Sequence, residues 1–220
     1  MKKETVKVIL GTAHRKRMPG KQSPDGRLKE YEYSRERVNA IKAKLEDMGY
    51  TVLVDMAATD LPVNLQCDNA ITEQQRELNA RVSYVNAACE KYGTSNCLYV
   101  SIHVNGWGNQ GKWEDKRGWS VYTSPGLTKA DKLATCLWYA ADKHIPKDNR
   151  TAMRMDMSDG DPDFESKLYV LTKTKCAAVL TENLFQDNKE DVDFLMSEEG
   201  MHAIERLHVE GIVDFIENEL

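Results

Sequence analysis

The sequence predicts an α/β domain with helices flanking a twisted, mostly parallel sheet, and three observations carry that prediction. Residues 5 to 54 read as strand, loop, helix and strand in succession, and the same alternation recurs further along the chain. Two later runs, "LYVSIHVNG" at 98–106 and "CAAVLTENLF" at 176–185, are apolar enough to be strands buried between helical layers. At 220 residues and 41% hydrophobic content the chain can bury one sizeable core, so a single domain over 1–220 is expected.

Each element has a local reason. "TVKVIL" at 5–10 is a short β-rich run closed by Gly11, and 12–29 is a basic loop rich in Gly and Pro. From Glu30 the pattern becomes helical, with Val38, Ile41, Leu45 and Met48 on one face and Gly49 as the stop; "YTVLV" at 50–54 follows as a strand. A second helix runs from about 73 to 92, with Leu78, Val82, Val85 and Cys89 on one face. After the 98–106 strand come "GWSVYT" (118–123) as a strand, a helix at 128–144, "KLYVLT" as a short strand, the 176–185 strand, and helices at 188–196 and 198–218. Two polar stretches, 106–118 and 150–166, are long loops of the kind that commonly serve as lids or binding walls.

Composition removes several classes of function. With 30 Lys and Arg against 35 Asp and Glu, the net charge of −5 gives no field that draws the whole molecule to nucleic acid or anionic lipid. No apolar run approaches the ~20 residues of a membrane span, and "MKKETVKVIL" reaches Gly11 too soon for a secretory signal, so a soluble chain without membrane insertion is expected. Five cysteines without a CxxC pair argue against a cysteine zinc site or a full disulfide framework, although a Cys89–Cys97 link stays open.

The chemistry-bearing residues fall in one place. Ligands of open α/β sheets sit outside the carboxyl ends of the strands. His14 follows the first strand, His103 ends the 98–106 strand, Glu182 ends "AAVLTE", and Glu30 opens the first helix. Two imidazoles and one carboxylate are a common ligand set of zinc hydrolases, and a remaining Glu182 suits proton transfer. Singly, each has an ordinary reading, as a hydrogen-bonded strand-end histidine or a glutamate meeting a helix dipole; their convergence carries the inference. Glu32 competes with Glu30 but points to a different side of the helix. His144 at a helix end, and His202 and His208 on the last helix, have no ligand partner at suitable spacing.

With these residues in hand, the sequence resembles the zinc-dependent N-acetylmuramoyl-L-alanine amidases, the amidase type 3 family, from "VILGTAH" to "TENLFQDNKEDVDFL". The resemblance implies a zinc exopeptidase/amidase-like fold, one zinc ion per chain on His14, Glu30 and His103, Glu182 as the catalytic carboxylate, and peptidoglycan as substrate. "RVSYVN" (81–86) resembles the segment preceding the second histidine motif, which makes Arg81 a candidate substrate contact. Asn105 is either a further contact or a turn residue, and Trp107 and Trp113 either stack on a sugar or cover the core edge. Action at the cell wall, whether periplasmic, extracellular or as a released phage lysin, follows from that substrate. Departures are visible: Ala13 and Arg15 flank His14 where the family has glycines, and Asn183 replaces a small apolar residue. A zinc carboxypeptidase is an alternative, but its first His and Glu stand three residues apart rather than sixteen; a non-catalytic peptidoglycan-binding module would have little use for Glu182.

Overall fold

The computed structural model describes residues 2–108, 111–146 and 153–220; residues 109–110 of the first long loop and 150–152 of the second lie outside the described residues. In chain order the elements are α1 (Lys2–Thr5), β1 (Lys7–Thr12), α2 (Glu30–Asp47), β2 (Thr51–Val54), α3 (Ala70–Tyr92), β3 (Cys97–Asn105), β4 (Ser120–Thr123), α4 (Lys129–His144), β5 (Phe164–Glu165), α5 (Tyr169–Lys173), β6 (Ala177–Phe185), α6 (Lys189–Leu195) and α7 (Glu198–Asp214), the last continued by a π-helical turn at Phe215–Glu219. The six strands form one sheet in the order β2-β1-β3-β6-β4-β5. Only the β4–β6 pairing is antiparallel, so the sheet is mostly parallel as the alternation of elements predicts.

Strand parity divides the core into two layers. Val8, Leu10, Leu98, Val100 and Val179 face α2, α4 and α7, whereas Ile9, Tyr99, Ala178 and Leu180 face α3 and α5. Helix starts carry recognisable caps. Asn69 accepts from the Thr72 backbone N–H, which begins α3 three residues before the apolar periodicity suggests, and Thr128 with Asp131 forms a capping box on α4. Gly211 lies where α7 crosses α4: a Cβ there would come within 2.8 Å of the Leu137 Cα.

One element differs from expectation. "KLYVLT" is not a strand; its residues form the single helical turn α5. Its Tyr, Val, Leu and Thr favour β-structure, but only three residues separate α5 from β6 and both edges of β6 are already taken by β3 and β4. With no free edge on β6 to join, the segment coils and buries Val170 and Leu171 against the α3 layer. All five cysteines are free thiols, Cys89 and Cys97 included. Among the described residues no helix is long and apolar enough to cross a membrane.

Candidate metal centre and active site

Register builds the floor of the site. Residues 97 and 99 of β3 and 178 and 180 of β6 face α3, so His103 and Glu182 share that face, and the parallel ladder pairs them directly. An imidazole and a carboxyl thus emerge side by side at the carboxyl ends of adjacent strands. Just beyond, the ladder shifts register between His103 and Asn105, and Leu184 takes a left-handed φ of 64°.

His14 reaches the same place from the turn after β1, with a left-handed φ of 37°. Such a backbone costs a non-glycine residue about 1–3 kcal/mol unless its surroundings enforce it. Here they do. The Ala13 N–H donates to Ser34 Oγ at 2.8 Å, Ser34 donates in turn to the Ile102 carbonyl at 2.6 Å, and the Arg35 guanidinium donates to the Ala13 carbonyl at 2.9 Å. On the other side, Arg15 is buried and donates to Glu73 at 2.6 Å and Glu77 at 3.0 Å, tying the turn to α3. Where the family resemblance implies flexible glycines, this chain uses an ionic anchor.

Glu30, 1% exposed, completes the cluster from the first turn of α2. Its Oε1 accepts from the Val104 N–H at 3.1 Å and lies 3.1 Å from His103 Nδ1. Its Oε2 is 3.4 Å from His14 Nε2 and 3.8 Å from Lys21 Nζ, and has no hydrogen bond. The two imidazole rings meet edge to face at 5.1 Å. One ligand atom from each of His14, Glu30 and His103 lies within 4.8 Å of the others, the only such trio among the described residues. A donor set of two imidazoles and one carboxylate, with an orphaned buried oxygen, fits zinc, whose open sites take three protein ligands.

Electrostatics agrees with that use. Burial, opposed by the Glu30 charge, lowers the pKa of His14 to about 3, which keeps the ring neutral and able to ligate. Burial raises Glu30, but His14, His103 and Lys21 outweigh it and bring its pKa down to about 2. Glu182 moves the opposite way: burial and then the neighbouring Glu30 charge push it up to about 8, against the pull of Lys21 and Arg154. Its Oε2 is buried without a hydrogen bond. A cleft of about 230 Å³ opens over these residues, walled by Gln74, Leu78 and Arg81 of α3 and by Leu168, Tyr169 and Val170.

The remaining candidates scatter. Arg81 lines the cleft, but its guanidinium donates to Asp55, Glu77 and Thr12 and touches the His14 carbonyl. Asn105 accepts from the Gly106 N–H at 2.8 Å, a turn contact. Trp107 is 61% exposed under the Lys116 ammonium, and Trp113 is 38% exposed; neither lines the cleft. Glu32 is exposed and bonded to Tyr31, away from the site. His144 pairs with Glu210, His202 with Glu205, and His208 is buried in the core. Asn183 accepts from Trp119 Nε1 at 2.8 Å and donates to the His103 carbonyl at 2.9 Å, fixing the strand end that carries the imidazole.

Sequence reasoning missed Lys21 and Ser101. Ser101 Oγ lies 3.1 Å from His103 Nε2, and its position two residues before His103 on the same strand face was a legible signal. Lys21 sits in an aperiodic loop and left no signal.

Comparison with known proteins agrees with this architecture. The chain is 28% identical over 119 residues to an endolysin of Bacillus phage SPP1, a match that spans 54% of this chain and only 40% of that protein. Its fold is similar to that of the N-acetylmuramoyl-L-alanine amidase from Clostridium difficile 630 (16% identity, TM-score 0.76, covering 98% of this chain and 99% of that one). It is similar also to the N-acetylmuramoyl-L-alanine amidase AmiC2 of Nostoc punctiforme (20% identity, TM-score 0.69, 97% and 98% covered). The family model Amidase_3, described as N-acetylmuramoyl-L-alanine amidase, matches residues 8–214, and the chain belongs to that family.

Proposed function

We propose that this chain is a zinc-dependent hydrolase of peptidoglycan that cleaves the amide between the lactyl group of N-acetylmuramic acid and the L-alanine of the stem peptide. The observation that carries the reading is the convergence of His14, Glu30 and His103 beside a half-buried Glu182 whose Oε2 is buried and unpartnered. His14, Glu30 and His103 would hold one zinc ion, which supplies Lewis acidity, polarising the scissile carbonyl and acidifying a water. The Val104 N–H and Lys21 orient the Glu30 carboxylate, and Asn183 holds the His103 backbone. Glu182 takes the proton of the attacking water and passes it to the departing alanine amine. Its elevated pKa suits that exchange, since a positive charge at the neighbouring ligands draws it down towards the working pH. Peptidoglycan as substrate places the action at the cell wall.

Mass analysis of digested sacculi, with and without a chelator, tests bond and metal together. Release of intact stem peptides beginning with L-alanine, stopped by the chelator and restored by zinc, is the expected result. His103→Ala should lose both zinc and activity. Cleavage inside the peptide, or turnover indifferent to chelation, would overturn the reading.

A further inference from the structure

The acidic run "DMSDGDPDFE" at 156–165 belongs to a loop that the hydrolytic reading leaves without a task. Asp163 is 3% exposed. One of its oxygens, Oδ2, accepts from the Thr123 hydroxyl at the end of β4; the other, Oδ1, is buried without a donor. The Asp161 side chain lies within hydrogen-bonding reach of Asp163, and its own Oδ1 is likewise buried without a donor. Ionised carboxylates only accept hydrogen bonds, so two of them turned together leave buried negative charge that requires a proton or a cation.

We propose that Asp161 and Asp163, with the Thr123 hydroxyl beside them, form a binding site for a hard divalent cation of the calcium type. Every donor here is oxygen, which selects calcium or magnesium over zinc. The surrounding field is negative as well: Asp131 and Asp161 both raise the pKa of Asp163, which burial chiefly pushes up to about 8, and neither Asp161 nor Asp163 has an ion-pair partner among the described residues. Asp131 itself is occupied as the α4 cap, accepting from the Thr128 N–H at 2.6 Å, so it contributes charge rather than a ligand. Gly160, with φ of 111°, lets the loop turn sharply just before Asp161. With only two carboxylates converging, water completes the coordination, and the affinity falls in the weak range of about 10⁻⁴–10⁻³ M. The bound cation staples the loop to β4 directly before β5, where Phe164 lies 5.4 Å from Tyr122, and upstream of Leu168 and Tyr169 in the cleft wall.

The test is thermal unfolding of the zinc-loaded chain at neutral pH while calcium chloride is raised to roughly ten times the weak end of that range. The melting temperature should rise with calcium, and equilibrium dialysis should find one calcium per chain. Asp161→Asn and Asp163→Asn should abolish the rise and weaken binding at least about tenfold, whereas Glu30→Gln should keep both. Should Asp163→Asn fail to fold, Asp161→Asn at the half-buried partner decides alone. The proposal is overturned if calcium leaves the parent unchanged, or if its effect survives both Asn variants and disappears in Glu30→Gln, which would locate it at the hydrolytic cleft. A melting temperature that ignores calcium, falls as pH rises towards 8 and levels off above it would assign a shared proton and equally sink it.

Discussion

Two polar clusters lie against the same strand ends, one under the other, and differ in whether their buried atoms are satisfied. In the lower one, Arg81 donates to both oxygens of Asp55 at 2.9 Å and to Glu77 at 2.9 Å, the Tyr99 hydroxyl donates to Asp55 at 2.8 Å, and Arg15 bridges Glu77 and Glu73. Gly11 leaves room for this: a Cβ there would lie 2.3 Å from the Tyr99 hydroxyl oxygen. In the upper cluster, Glu30 Oε2 and Glu182 Oε2 are buried with no hydrogen bond at all. Buried polar groups without partners are costly, so each calls for an explanation, and two of them here belong to the proposed ligand and proton-transfer carboxyls. On the function proposed above, the lower cluster serves as scaffold and the upper one carries the chemistry.

The sharpest way to break that contrast is to change one residue on each side and read both stability and turnover. Glu182→Gln removes the proposed proton-transfer group but keeps its shape. Activity on muropeptides should fall about 10²- to 10⁴-fold, with zinc content unchanged and stability equal or higher, because a buried carboxyl next to Glu30 is relieved. A variant that turns over normally would return Glu182 to the scaffold. Arg81→Met does the reverse. It strips Asp55 of its buried counter-charge and leaves Glu77 with Arg15 alone, and breaking such a network costs about 3–5 kcal/mol, readable as a lowered urea midpoint. If stability holds and only KM rises, Arg81 is a substrate contact and the division between the two clusters is wrong.

What the sequence disclosed follows the same line. His14, Glu30, His103 and Glu182 were visible because strand ends and a helix start can be located from periodicity, and strand parity then puts His103 and Glu182 on one face. The pairing of distant charges is not periodic. Nothing local in "TAHRKR" says that Arg15 is buried against α3 while Arg17 stands half in solvent, or that Arg81 turns to Asp55 across twenty-six residues. The α5 turn escaped for a related reason: its residues favour a strand, and only the occupancy of both β6 edges decides against one.

His208 sharpens the comparison from a third side, as a buried and hydrogen-bonded polar group that burial keeps neutral. Its Nδ1 faces the Ile204 carbonyl at 2.7 Å, and a carbonyl only accepts, so Nδ1 carries the proton and Nε2 accepts from the Thr181 hydroxyl at 2.9 Å. Burial lowers its pKa from 6.5 to about 4, slightly opposed by that carbonyl. Between those two values the unfolded chain binds the proton and the folded chain does not. Stability from this site is therefore complete above pH 6.5, declines as pH falls towards 4, and levels off below, a loss of roughly 3 kcal/mol at 1.36 kcal/mol per unit. Urea unfolding of the metal-free chain from pH 7 to 4 should show the decline, and His208→Gln should flatten it relative to the parent while the carboxylate contributions cancel in the difference. Parallel profiles would mean that the imidazole is protonated in the folded core, and that an unsatisfied buried group need not mark function in this molecule.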